Sequence, residues 1–207
     1  MQIIKESNSL SVSRACKILR QGGVISFPTD TVYGLAADAS NFEAVEKIFK
    51  LKTRDPKKPI AIFVKDLEAA RKIFLFDELT EKFAEKFASQ SLTLVLEMKA
   101  NISAKLASNL NLNNEKFLGF RIVNHDFVKN LLADFDGILA VTSANPSGEN
   151  AALSAEEVEK YFSNSNLDLL IDGGKSKNMV ASTVIKINEG RADILRGSLN
   201  ILSNETV

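Results

Sequence analysis

The feature that most constrains the fold is the interleaving of two periodicities. Apolar stripes at helical spacing alternate along the chain with short runs rich in branched aliphatic residues. Val12, Ala15, Cys16 and Leu19 recur at helical spacing and stop at Gly22 and Gly23, which predicts a helix whose glycine terminator feeds a strand from Val24 to Phe27. Ser40-x-x-Glu43 predicts a capping box for a helix with the stripe Phe42, Val45, Ile48 and Phe49, and Ser154-x-x-Glu157 predicts another near Tyr161 and Phe162. A fourth helical pattern holds Leu79, Phe83 and Phe87. Between these lie strand-like runs at Ile60 to Val64, Leu92 to Met98, Ile138 to Val141, Leu169 to Ile171, Val184 to Ile187 and Ile194 to Leu195. Interspersed strands and helices imply an α/β domain with a mixed sheet, and 207 residues at 45% hydrophobic content suffice for one well-buried core. Ala100 to Glu115, with five asparagines, reads as a loop or frayed helix, and Ser203 to Val207 as an untethered tail.

Charge excludes some functions and localises others. Lys plus Arg balance Asp plus Glu at 26 each, so no global field draws the chain to nucleic acid or an anionic membrane. From Lys47 to Lys58, however, six basic residues stand against Asp55 alone, a local net charge of +5. The single cysteine, Cys16, allows no internal disulfide and no cysteine-rich zinc site, and its place on the helical stripe makes it a core residue. No basic leader opens the chain and no apolar run approaches the roughly 18 residues that span a bilayer. The expectation is a soluble, unprocessed protein of the reducing cytoplasm.

Three segments carry chemistry. In Lys52-Thr-Arg-Asp-Pro-Lys-Lys-Pro59 the cations could simply complement a helix C-terminus, but Pro56 and Pro59 hold them on a stiff loop before a strand, where Arg54 offers a planar fork to phosphate or carboxylate. Thr142 to Gly148 follows an apolar run, which puts Ser143 and Asn145 where a strand ends and ligands gather in α/β folds; the Pro-Ser-Gly part needs no more than a turn to explain it. Thr29 to Gly34 reads as a polar turn after a strand, with Asp30 as a possible cap. Its two threonines and a tyrosine are also a dense set of neutral hydrogen-bonding groups for a small polar molecule. Gly174-Lys175-Ser176 is not a P-loop, because the required earlier glycine is Leu169. His125, the only histidine, stands at an expected helix start and is read as a capping or satisfied structural residue. With one histidine and one core-facing cysteine, an enzyme built on this chain must work mainly by positioning and charge stabilisation.

Ser26 to Gly34, Lys52 to Pro59, Leu92 to Leu96, Thr142 to Gly148, Asp172 to Gly174, Ser182 to Val184 and Leu195 to Gly197, in this order, resemble the YrdC/TsaC-like family of threonylcarbamoyl-AMP synthases. The likeness runs from about Leu10 to Ser198. It implies a single α/β domain over residues 1–207, with a twisted mixed sheet flanked by helices and a concave basic cavity. It implies the joining of L-threonine, bicarbonate and ATP into threonylcarbamoyl-AMP and pyrophosphate for t6A formation in tRNA. By this resemblance Lys52, Arg54, Ser143 and Asn145 surround the phosphates and the reacting carbamate, with Lys58 and Arg196 adding ATP contacts. Arg121 would hold the threonine carboxylate, and Thr29, Thr31, Tyr33 and Ser182 would line the amino-acid pocket. Mg²⁺ is expected on the ATP phosphates with no protein metal site. A TsaD/TsaB/TsaE-like complex is the expected recipient of the product, with tRNA or double-stranded RNA as a further partner and no membrane. The chain departs from the family pattern at Ser89-Gln90-Ser91, Phe63, Val123 and Ala181. A YciO-like paralogue with another acceptor and an RNA-binding module are the competing readings.

Overall fold

A computed structural model of the chain describes residues 1–87, 91–103, 105–111, 116–178 and 180–197, so the tail, the Ser89-Gln90 part of the departing turn and residues 112–115 of the asparagine-rich stretch lie outside the described residues. The described strands are β1 (Gln2–Lys5), β2 (Ile25–Phe27), β3 (Gly34–Asp38), β4 (Ala61–Val64), β5 (Leu92–Glu97), β6 (Phe117–Ile122), β7 (Leu139–Ser143), β8 (Leu169–Asp172), β9 (Thr183–Asn188) and β10 (Arg191–Arg196). The described helices are α1 (Ser11–Arg20), α2 (Phe42–Lys52), α3 (Leu67–Ile73), α4 (Glu78–Phe87), the short α5 (Ala100–Ser103), α6 (Asp126–Phe135) and α7 (Ala155–Phe162), with a 3₁₀ turn at Ser108–Asn111.

All ten strands join one mixed sheet in the order β1-β8-β2-β3-β7-β4-β6-β5-β9-β10. Its β1·β8, β2·β8, β4·β6 and β5·β9 pairs are parallel and the rest antiparallel. Strand alternation gives each face its own character. On one face Ile62, Leu94, Phe120 and Ile185 meet a continuous apolar layer that includes Val45 and Ile48 of α2, Ala70 of α3, Ala84 of α4 and Phe162 of α7. The opposite face is covered over only part of its width. There α1 (Ala15, Cys16, Leu19) and α6 (Phe127, Val128, Leu131) pack on Ile25, Phe27, Ala36, Val141 and Leu169, and this second core reaches Phe63 of β4. The expected core position of Cys16 is borne out at 2% exposure. Beyond Phe63 the same face of β4, β6, β5 and β9 forms the floor of a cavity.

Several expected boundaries shift for local reasons. Helix α1 does end at the glycines, with Gly22 left-handed (φ 73°) and the Gly23 N–H donating to Ile18 O. Helix α2 is capped by Asn41, whose Oδ1 accepts from Ala44 N at 3.0 Å, and not by Ser40. Ser40 instead donates its hydroxyl to Asp38 Oδ1, and Phe42, placed on the buried stripe by its spacing, is 45% exposed. Ser154 caps α7 as expected, but Glu157 reaches back to Leu153 N, one residue before the cap. Strands β1, β3 and β6 were not expected; Gly34, read as the end of a polar turn, opens β3, which pairs on both sides with β2 and β7.

Candidate active site

The floor of the cavity is made from the small or polar positions of adjoining strands: Ala61 of β4, Gly119 of β6 and Thr93 and Val95 of β5. A Cβ on Gly119 would stand 3.3 Å from both Ala61 Cβ and Thr93 Cγ2, so glycine here keeps the floor low. The cavity encloses about 600 Å³. Its cationic lining residues are Arg54, Lys58, Arg121, Lys186 and Arg196, and among the described residues no carboxylate side chain lines it. Burial, reinforced by the nearby Arg196 charge, lowers the pKa of Arg54 and Arg121, and burial lowers that of Arg196. Guanidiniums desolvated beside one another make a strong site for an anion.

The basic loop resolves into separate jobs. Lys47 donates to Gly22 O and Lys50 pairs with Glu46, so neither belongs to the cavity. Thr53 takes a left-handed conformation (φ 48°) that ends α2 and turns the chain toward the site. Arg54 then folds over its own loop, Nε donating to Lys58 O at 3.2 Å and Nη2 to Pro59 O at 3.0 Å, which fixes the guanidinium at the cavity wall. Lys52 is 1% exposed and stands behind that wall. Its ammonium donates to Ser143 O at 2.5 Å, Asn145 O at 2.7 Å and Asn145 Oδ1 at 3.1 Å, which uses all three protons. Asn145 is equally committed: Nδ2 donates to Pro146 O and Glu149 O, and Oδ1 also accepts from Ser143 Oγ at 2.6 Å. The two residues therefore clamp the turn after β7 and leave Ser143 as its member facing the cavity. Burial, then the charge of Arg54, pushes the Lys52 ammonium down to about 7.

On the far wall, hydrogen counting fixes the direction of a chain of hydroxyls. Thr29 Oγ1 spends its proton on Val32 O at 2.7 Å, so in the 3.0 Å contact between the two threonines Thr31 is the donor. Thr31 Oγ1 in turn accepts from Arg121 Nη1 at 2.7 Å, and Arg121 Nη2 donates to Asp30 Oδ2 at 2.6 Å. Thr29 Oγ1, which also accepts from Thr31 N, is saturated, whereas Thr31 keeps one lone pair. Tyr33 contributes to the wall, but its hydroxyl donates to Gly174 O and accepts from Gly173 N, so it clasps the loop after β8. Ser182 Oγ lies 2.8 Å from Thr93 Oγ1 and accepts from Arg196 Nη2 at 3.1 Å.

Of the residues named from sequence, Thr29, Thr31, Tyr33, Arg54, Lys58, Arg121, Ser143, Ser182 and Arg196 line one cavity, while Lys52 and Asn145 support it from behind. The sequence reading missed Lys186, whose Nζ sits 4.1 Å from the Phe117 ring centre at the cavity wall, and the Gly119 floor. The signal was available: Val184 and Lys186 alternate with Ile185 and Ile187, which marks the two faces of β9. His125 does occupy the cap position of α6, but its side chain makes no cap bond and buried Nδ1 has no partner among the described residues. It lies outside the cavity lining. Among the described residues, no cluster of three or more His, Cys, Asp or Glu could hold a metal, and no helix is long and apolar enough to cross a membrane.

Comparison with known proteins identifies the family and the fold. The Sua5/YciO/YrdC family model, described as telomere recombination, matches residues 17–198. A Methanocaldococcus jannaschii protein named putative threonylcarbamoyl-AMP synthase is 31% identical over 180 residues, covering 87% of this chain and 82% of its own length. The human threonylcarbamoyl-AMP synthase is 32% identical over 185 residues, 86% of this chain and 63% of its own. Among solved structures, Pyrococcus abyssi Sua5 complexed with L-threonine superposes with a TM-score of 0.84 at 29% identity, over 94% of this chain and 56% of that one. Escherichia coli YciO shares the fold at a TM-score of 0.81 and 20% identity, over 96% of each chain.

Proposed function

Because this chain belongs to the Sua5/YciO/YrdC family, with a threonylcarbamoyl-AMP synthase among its relatives at better than 30% identity, we propose that it is itself a threonylcarbamoyl-AMP synthase. The observation that carries the reading is a cavity in which, among the described residues, five cations and no carboxylate surround a low floor of small side chains. Such a site suits a reaction between two anions. Bicarbonate and the neutral threonine amine give a carbamate anion with loss of water. A carbamate oxygen then bonds to the α-phosphorus of ATP as the bond to the β-phosphate oxygen breaks and pyrophosphate leaves. Neither step needs a protein nucleophile. The work left to the chain is to offset repulsion and align the reactants.

In this reading Arg54, Lys58 and Arg196 receive the phosphates, and Ser143, held by Lys52 and Asn145, lies beside the reacting carbamate. Arg121 takes the threonine carboxylate and Thr31 accepts a hydrogen bond from the amino acid. Mg²⁺ arrives with ATP as part of the substrate, held on the ATP phosphates. The product is an activated mixed anhydride, so a transferase that delivers the threonylcarbamoyl group to tRNA, in the cytoplasm, is the partner it calls for. Pyrophosphate release from Mg-ATP tests the reading. Release that requires L-threonine and bicarbonate together is expected; ATP binding without such release would refute it in favour of a paralogous activity with a different acceptor.

A further inference from the structure

Arg121 is 5% exposed and Asp30 is 7% exposed, yet their ion pair is incomplete on both sides. The contact is single, Nη2 to Oδ2 at 2.6 Å, and buried Arg121 Nε and Asp30 Oδ1 have no partner among the described residues. With Nη1 bound to Thr31, two of the five guanidinium N–H groups are committed and three are uncommitted. An arginine held at both terminal nitrogens, with donors to spare at a cavity wall, is shaped to receive a second planar anion. Asp30 is also a junction. Its carboxylate accepts from Ser91 Oγ at 3.4 Å and its backbone carbonyl from Asn178 N at 3.3 Å, so it ties the strand carrying Arg121 to the loops that precede β5 and the Ala181–Ser182 wall.

Resting on the synthase reading, we propose that Asp30 is a positioning residue that fixes the Arg121 guanidinium for the carboxylate of the amino-acid substrate without itself touching that substrate. An arginine left to choose its own rotamer must be ordered when the ligand arrives, and its charge must be buried without compensation beforehand; a fixed partner removes both costs from binding. Asp30 lies outside the cavity lining, and among the described residues its side chain bonds Arg121 and, at 3.4 Å, Ser91, so its loss bears on the amino-acid side of the cavity and not on Arg54, Lys58 and Arg196 directly.

The test is steady-state pyrophosphate release by the wild type, Asp30→Ala and the isosteric Asp30→Asn, with threonine and ATP varied separately. At least a tenfold rise in KM for threonine is expected in Asp30→Ala, with KM for ATP and kcat within about threefold of wild type. A smaller rise is expected in Asp30→Asn, which keeps an acceptor for Nη2. If Asp30→Ala does not fold, the threonine-selective rise in Asp30→Asn decides. An unchanged or lowered KM for threonine, or KM for both substrates rising in parallel, would overturn the inference while leaving the synthase reading intact. A wild-type protein that turns over no threonine would overturn both.

Discussion

At the scale of single residues, the chemistry of this site is decided by which protons are already spent. Lys52 and Asn145 have the side chains of ligand-binding groups, but every proton and acceptor they own is engaged by the turn after β7. Lys52→Met should therefore act through Ser143, lowering kcat/KM at least tenfold, which corresponds to about 1.4 kcal/mol. The same residue predicts a pH effect. Its folded pKa of about 7 lies below the ordinary 10.5, so between those values the unfolded chain binds more protons and stability rises with pH, levelling off below about 7. Urea unfolding at pH 6.5, 8 and 9.5 should show that slope in the wild type and lose it in Lys52→Met. Arg54 is different, since it spends N–H groups on its own loop while lining the cavity. Arg54→Ala should cost roughly 1.5 to 3 kcal/mol, or ten- to a hundredfold in kcat/KM, with an unchanged melting temperature. Residue types were legible in the sequence; their engagement was not, because the acceptors of Lys52 lie some ninety positions away and are partly backbone carbonyls, which any sequence could provide.

At the scale of elements, helices with strong stripes were read correctly because burial and periodicity agree, as in Val45, Ile48 and Phe49 of α2. The edge strand β1 and the inner strands β3 and β6 were harder. Strand β3, Gly-Leu-Ala-Ala-Asp, lacks β-branched residues, and β6 carries a glycine and an arginine among its six positions. Each departure has a use. Gly34 approaches Val141 Cγ1 so closely that a Cβ would meet it at 3.1 Å, while Gly119 and Arg121 give β6 its cavity face. The asparagine cap at Asn41 was missed because serine and asparagine are adjacent and both are competent caps. An element-scale prediction follows for Gly119→Val. Valine suits a strand, so the melting temperature should change by only a few degrees, but its methyls would rise from the floor, and kcat/KM should fall at least tenfold. Thermal melting beside pyrophosphate release separates the two effects.

For the whole molecule, the site exists because two helices cover only part of a ten-stranded sheet. The interspersed pattern in the sequence was enough to fix the α/β class, but the uneven cover depends on where α1 and α6 come to rest, which no local pattern specifies. What the open part holds in place of a helix is a set of mutually repelling, desolvated cations. Inorganic pyrophosphate should therefore stabilise the fold. At a hundred times its Kd the gain is about 2.7 kcal/mol, roughly 5 to 10 °C in a chain of this size, and it should shrink as salt is raised. A melting temperature indifferent to pyrophosphate would mean that the cations do not form a common anion site.

Strand order also sets a timetable. β5 pairs with β9 and β9 with β10, the last two of the described strands, although β5 lies near the middle of the described residues. Thr29 and Arg54 emerge from the ribosome long before Ser182, Lys186 and Arg196, which complete the same cavity. A nascent chain therefore carries part of the cavity wall and a β5 edge without its β9 partner until β9 and β10 have emerged, so the cavity is complete only once that hairpin is in place.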